Sequence, residues 1–307
     1  MIRPARLLLL LGCLCATTFG VASTAGARLT VGVSDNGAWM FSSNSFQRLH
    51  LKTARMMVAW NAAVTRNHSL LNETRAWVRA AEADHVQPMI SFQAPGGVAG
   101  NHVPSVSEYR NAIRAFIRDF PSVKVYTPWN EPDFIYRGLA RNPGLAAQYF
   151  NVLIRWCHHC TIVAGDVYRP AWDGLASWVR AYKRGLHARP AAWALHPYDD
   201  VRTHTKAQIL AFIRAIGRGS HIWLDEISGV ERRGHWPWPN QSPNAADKDE
   251  RFMFVLPKIF HQITRIYHYQ WQAVPAAGWD SGLLGPQGKP RPAYWTFANA
   301  AKGKLPK

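Results

Sequence analysis

From residue 29 onward, short runs rich in β-branched and aromatic residues alternate with longer stretches whose apolar residues recur every three to four positions. The short runs read as strands, since Val, Ile, Tyr, Phe and Trp suit a pleated, buried surface. They fall at 29–34, 55–60, 86–92, 124–128, 161–165, 192–196, 221–224 and 266–271. The longer stretches have the period of amphipathic helices and fall at 70–83, 106–120, 145–157, 175–185, 206–216 and 249–263. The connection after the first strand, around 46–51, is short, and a last helix is expected at 293–300.

Eight strands, each followed by a helical segment, predict an α/β fold: a (β/α)8 TIM barrel in a single domain. An open doubly wound sheet would place a Gly-rich phosphate turn after strand one. Gly32-Val33-Ser34-Asp35-Asn36-Gly37 lacks that spacing. Near the end, Gly282 to Gly288-Lys289 imitates a phosphate loop with one residue too many between its glycines, and Pro290 stands where Ser or Thr is needed; it reads as a turn. No internal repeat or linker interrupts the pattern. A barrel gathers its chemistry at the C-terminal strand ends, and polar or aromatic residues cluster there: Asp35-Asn36, Trp60-Asn61, Gln93, Trp129-Asn130-Glu131-Pro132-Asp133, Asp166, His196-Pro197-Tyr198, Asp225-Glu226 and Trp271-Gln272.

Ahead of this pattern, Arg3 and Arg6 precede the apolar run from Leu7, and Ala25-Gly26-Ala27 offers a small-x-small cleavage site. Residues 1–27 are therefore expected to be a signal peptide and 28–307 the mature, secreted domain. The purely apolar run is shorter than the ~20 helical residues that span a bilayer, which favours cleavage over a membrane anchor. Cys13, after Leu10-Leu11-Gly12, is a weaker candidate for lipoprotein attachment. The other two of the four cysteines form Cys157-His158-His159-Cys160. A metal site or a redox pair would fit that spacing, but no second ligand pair accompanies it. In an oxidising compartment a local disulfide between Cys157 and Cys160 is the simpler reading.

The 307 residues are 48% hydrophobic and 18% charged, a globular composition. Lys and Arg number 36 against 19 Asp and Glu, a net charge of +17, or +15 once Arg3 and Arg6 leave with the signal. Such a surplus attracts acidic partners, anionic polysaccharide among them. Its residues are scattered over helices (Arg110, Arg114, Arg118; Arg180, Lys183, Arg184), and a merely solvated basic surface explains them as well. No nucleic-acid-binding module is visible, and no later segment resembles a membrane span.

Glycoside hydrolysis needs two carboxyl groups on opposite sides of an anomeric carbon. Glu131 and Glu226 end strands four and seven, which face one another across a barrel mouth. Trp129-Asn130-Glu131-Pro132, followed by Leu224-Asp225-Glu226-Ile227-Ser228-Gly229, resembles the clan A glycoside hydrolases, with their cellulase-like, β-xylosidase-like and exopolysaccharide-degrading families. The resemblance implies a retaining enzyme. Glu131 would be the acid/base, with a raised pKa, and Glu226 the nucleophile, kept ionised by Arg55. Asn130 would bond the sugar 2-hydroxyl, His196 and Tyr198 would bond the nucleophile or sugar, and Trp271 would be the stacking platform. Asn130 and Glu131 can both face the site only if the strand end is distorted. Ile227-Ser228-Gly229 departs from the aromatic-Gly pair frequent in cellulase-like families. Asp225 is an alternative acid, disfavoured by strand alternation and by the motif.

There are 14 Trp, with Trp39, Trp60, Trp172, Trp236, Trp238 and Trp279 at loop positions, and rings there suit a saccharide. The loop at 229–247, with His235-Trp236-Pro237-Trp238-Pro239 and Arg232-Arg233, reads as a wall covering substrate. The expected partner is a poly- or oligosaccharide, neutral or anionic, bound by a monomer without cofactor or metal: there is no HExxH, and no GxSxG nucleophile. The acceptor is water or, in transglycosylation, another sugar. The competing class is a non-catalytic carbohydrate- or cell-wall-binding barrel.

Overall fold

The computed structural model describes residues 29–66, 68–97, 102–168, 174–233, 239–275 and 278–307, so the expected signal at 1–27, with Cys13, lies outside the described residues, as do Trp172, Trp236 and Trp238. Eight parallel strands close into a barrel in sequence order: β1 Thr30–Ser34, β2 Thr53–Ala59, β3 Gln87–Gln93, β4 Val125–Thr127, β5 Thr161–Val167, β6 Ala192–Leu195, β7 Ile222–Ile227 and β8 Ile263–Tyr269. β8 pairs with both β7 and β1, which closes the ring. Around it run α1 Asn44–Gln47, α2 His68–Ala83, α3 Val106–Asp119, α4 Pro143–Trp156, α5 Leu175–Arg184, α6 Tyr198–Thr203, α7 Ala207–Ile216, α8 Pro243–Ile259 and α9 Pro292–Ala301.

Local signals start these helices. Ser105 accepts a bond from the Glu108 amide while the Glu108 carboxylate accepts from the Ser105 amide, a complete capping box for α3. Asn142 and Ser242 cap α4 and α8, each with proline in the first turn, where its missing N–H costs nothing. That cap explains a correction: the helix expected at 249–263 begins at Pro243, so the supposed loop 229–247 gives up its end, from 243 on, to the helix. The helix also ends earlier, and β8 starts at Ile263 and finishes at Tyr269, two residues short of Trp271. Arg232–Arg233 and Trp279–Asp280 form a two-residue antiparallel ribbon outside the barrel. Cys157 and Cys160 follow α4 with Cα atoms 5.4 Å apart, a span a disulfide bridges. Among the described residues, no helix is long and apolar enough to cross a membrane.

Alternation along the strands divides the barrel interior into layers. The lower layer is apolar: Met89, Val125, Val163, Ala192, Ala194, Trp223 and Tyr267 form one cluster, distinct from the larger core between strands and helices. The inward positions nearer the strand ends are Ser34, Arg55, Ser91, Thr127, Asp166, His196 and Asp225, all fully buried. Polar and charged groups thus sit above an apolar plug, at the end of the barrel where the loops converge.

Gly32 on β1 shows how tight this interior is. A Cβ there would meet the Thr53 carbonyl at 2.6 Å and the Tyr267 ring at 2.8 Å. Overpacking of this kind costs about 1–3 kcal/mol. Gly32→Ala is expected to lower the urea midpoint accordingly; an unchanged midpoint would show that no such close approach exists.

Candidate active site

Glu131 reaches the mouth by a backbone distortion, as the adjacency of Asn130 and Glu131 predicts. β4 stops at Thr127, and Glu131 adopts a left-handed conformation, φ 48°. Its amide donates to the Asp166 carbonyl at 2.8 Å, and the Asn130 amide donates to the Phe92 carbonyl at 2.6 Å. Asp166 is itself left-handed, φ 58°, at a pairing shift in β5 between Gly165 and Val167. Such backbone costs about 1–3 kcal/mol per residue and persists where the surroundings hold it. In β7, Trp223 and Asp225 alternate inward, and a pairing shift between Leu224 and Ile227 lets Glu226 turn to the mouth as well. Alternation alone therefore favours Asp225, against the sequence expectation, and the irregularity delivers Glu226.

The two glutamates line one pocket of about 270 Å³ with Phe134, Arg137, Tyr168, Tyr198, Tyr269 and Trp279. One carboxylate oxygen from each lies within 4.8 Å of the other. The aromatic residues touch edge to face in sequence around the wall: Phe134 to Tyr168 at 5.4 Å, Tyr168 to Tyr198 at 5.9 Å, and Tyr198 to Trp279 at 5.1 Å.

Beneath the pocket Arg55 lies fully buried inside the barrel. Its Nη1 donates to Glu226 and to Ser34, both at 2.8 Å, its Nη2 to Asn130 Oδ1 at 2.7 Å and to Asp166 at 3.1 Å, and its Nε lies 3.5 Å from Asp225. Burial disfavours that charge, but Asp166, Asp225 and Glu226 outweigh it and hold Arg55 protonated. His196 Nε2 lies 2.6 Å from Asp166 and 3.2 Å from Asp225, and its Nδ1 lies 3.2 Å from Glu131. These bonds overcome its burial and raise its pKa well above the usual histidine range. Burial raises Asp166 too, but Arg55 and His196 bring it well below the ordinary carboxylate range. Asp225 is pushed up to about 6 by burial and by the Asp166 charge.

Glu131 differs from expectation. Burial raises its pKa, yet the bond from His196 and the charges of Arg137 and His196 prevail, and the net direction is down. Arg137, from the turn Ile135–Arg137, reaches Glu131 Oε2 with Nε at 3.3 Å and Nη2 at 3.2 Å. The resting carboxylate is ionised because two cations face it.

Of the other expected residues, Tyr198 is on the pocket wall with its hydroxyl 3.4 Å from Glu226. Arg55, Asn130 and His196 are fully buried below the pocket, where Arg55 meets Glu226 and His196 meets Glu131. His196 faces Glu131 and the two aspartates, not the nucleophile candidate. Asn130 Oδ1 is committed to Arg55, which fixes the amide orientation. Its Nδ2 then has no partner among the described residues. Trp271 does not line the pocket. It lies past the end of β8, fully buried, with its ring 5.4 Å from Phe46 and its amide on Asp35. Tyr269 and Trp279 hold the wall position expected of it. Asp166 beneath the pocket, and Arg137, Tyr168, Phe134 and Tyr269 on its wall, were not singled out as candidates from sequence. Only the placement of Asp166 at a strand end hinted at any of them.

No family model and no curated protein matches the sequence. Solved structures do. A family 39 glycoside hydrolase from Bacteroides cellulosilyticus superposes with a TM-score of 0.61 at 15% identity, over 90% of this chain and 64% of its own, so the chain spans less than two thirds of that enzyme. A GH5_18 structure from Streptomyces cattleya in complex with GlcNAc gives 0.67 at 14% identity, over 92% of this chain and 83% of its own. An endo-β-1,4-glucanase from Xanthomonas axonopodis gives 0.62 at 14% identity, over 90% and 99%. The chain has the fold of the clan A glycoside hydrolases.

Among the described residues, two groups could geometrically hold a metal: Glu131, His196 and Glu226, or Asp166, His196 and Asp225. Both already share the Arg55 guanidinium and the imidazole between them. A divalent cation would be placed against fixed positive charge, so these residues do not fit one.

Asp133, buried beside Glu131, supplies a check on the electrostatics. The Tyr168 amide donates to its Oδ1 at 2.9 Å, while Oδ2 has no partner among the described residues. Burial, with the Glu131 charge adding to it, pushes Asp133 up to about 7. A folded pKa above the unfolded one means that the native state holds the proton more tightly. The contribution is therefore full below about pH 4 and is lost as pH rises through 7. Asp133→Asn removes that dependence, so its Tm relative to the wild type is expected to climb between pH 4 and 8; a constant difference would exclude the shift.

Proposed function

We propose that this protein is a secreted retaining glycoside hydrolase with Glu131 as general acid/base and Glu226 as nucleophile. The observation that carries the reading is that one oxygen of each carboxylate lies within 4.8 Å of the other in an aromatic-walled pocket. Retaining enzymes hold their carboxyl groups about 5–5.5 Å apart, whereas inverting ones leave about 6.5–9.5 Å for a water. The company of glycoside hydrolases among similar structures supports a carbohydrate substrate.

In the first step Glu131, ionised at rest, must already have taken up a proton; the Glu226 carboxylate attacks the anomeric carbon as the bond to the leaving oxygen breaks, and Glu131 gives that oxygen its proton. A water then attacks the same carbon. Glu131 takes the water's proton, and the bond to Glu226 breaks. A sugar hydroxyl in place of water would make the second step a transglycosylation. Arg55 holds the nucleophile from below. The partnerless Nδ2 of Asn130 is the donor for the sugar 2-hydroxyl, and Tyr198 fixes the other Glu226 oxygen. Tyr269 and Trp279 take the stacking role, since sugar C–H faces pack on aromatic rings. Residues 1–27 act as the export signal of the mature domain 28–307, and the Cys157–Cys160 bridge suits the oxidising compartment it reaches.

The test uses 2-deoxy-2-fluoro glycosides across several sugars, with mass spectrometry of the labelled peptide. Label is expected on Glu226 and absent from Glu226→Gln. Glu131→Gln is expected to lose roughly 10²–10⁴-fold in rate on poor leaving groups, much less on activated aryl glycosides, and to recover with azide. A product of inverted anomeric configuration, or label on another residue, would remove the mechanism. Saccharide binding with neither cleavage nor label would assign the protein to the non-catalytic carbohydrate-binding class.

A further inference from the structure

Among the described residues that line the pocket, Arg137 is the cation, and a single carboxylate holds it. Its backbone carbonyl accepts the Trp129 indole N–H at 3.0 Å, which ties the turn to the Glu131 segment. Its guanidinium, 20% exposed, places both Nε and Nη2 on a single oxygen of Glu131, at 3.3 and 3.2 Å. A guanidinium is a planar fork that suits two oxygens of one anion, so this contact uses it poorly. Nη1 points to Gly97, where a Cβ would come within 3.2 Å, and the glycine leaves it room. Arg55 and His196 differ: both are fully buried and bonded on several sides to carboxylates of the barrel.

We propose that Arg137 is a specificity-determining residue that receives an anionic substituent, a carboxylate or a sulfate ester, on the sugar beside the scissile oxygen. The inference rests on the hydrolase reading for the position of that oxygen next to Glu131. A neutral sugar leaves Arg137 on Glu131, and an ionised Glu131 has no proton to give. An anionic group offers the fork two oxygens and draws it away, which removes one of the two cations that keep Glu131 ionised. The other, His196, is held in place by Asp166 and Asp225. Phe134 and Tyr168 flank the site with apolar rings, and a charge-assisted bond is stronger where water is excluded. The chain's surplus of +17 draws polyanions toward it.

The experiment pairs anionic glycans with neutral forms of the same backbone. Hyaluronan, alginate and polygalacturonate are used beside their carboxyl-reduced forms, and carrageenan beside its desulfated form. Binding to the wild-type protein is read by affinity electrophoresis and cleavage by reducing ends. At least one anionic glycan is expected to bind roughly 10- to 100-fold more tightly than its neutral partner; the carboxylate and sulfate pairs identify the group. Arg137→Gln should abolish that preference and Arg137→Lys restore part of it, both with wild-type melting curves. A general basic-surface effect would survive Arg137→Gln. Equal binding within every pair, or a preference that persists without Arg137, overturns the proposal. Arg137-dependent preference without cleavage would sink the hydrolase reading and leave the anion site standing; equal cleavage of both forms would do the reverse.

Discussion

The Arg55 guanidinium is the group around which the functional end of this barrel is organised. It is fully buried, and its nitrogens reach residues from or just beyond β1, β4, β5 and β7. Buried carboxylates on their own would become protonated or drive the barrel apart. With Arg55 among them, Asp166 and Glu226 can be held a few ångströms apart as acceptors. His196 closes the network from the other side by joining Asp166 and Asp225 to Glu131. Removing one member of such a buried set costs about 3–5 kcal/mol, because the remaining charges lose their compensation.

The same network accounts for the irregular backbone. Left-handed Glu131 and Asp166 and the pairing shift in β7 all occur at the strand ends above Arg55. Regular strands would present every second residue inward. The distortions present consecutive ones, Asn130 with Glu131 and Asp225 with Glu226. The apolar plug beneath, and helices started by capping residues and prolines, keep the rest of the barrel regular enough to hold the strained ends.

Charge is divided by depth. The deep cations are locked, and they hold Asp166 well below the ordinary carboxylate range. Arg137 at the wall touches a single oxygen and meets both the solvent and the acid/base candidate. A pocket with a rigid floor and an adjustable charge at its rim can couple ligand recognition to the state of Glu131, which a fully locked set could not.

Periods of two and of three to four residues were sufficient for the eight strands and most helices, because those periods follow from backbone geometry. Trp129-Asn130-Glu131-Pro132 marked an acid at a strand end for the same local reason, and the adjacency of Asn130 and Glu131 already required a distorted backbone. Contacts between distant segments were not legible. Trp271 and Tyr269 lie on the same face of an ideal strand, and only the end of β8 decides that Tyr269 meets the pocket while Trp271 packs under α9. The titration of Glu131 depends on an imidazole 65 residues away and a guanidinium on a separate turn, so its direction emerged only when the barrel closed. Sequence determined the barrel and its two carboxylates, through local periodicity and adjacency. Tertiary structure decided the protonation of Glu131, the partners of both carboxylates and the rings that face them, because those are properties of space between strands.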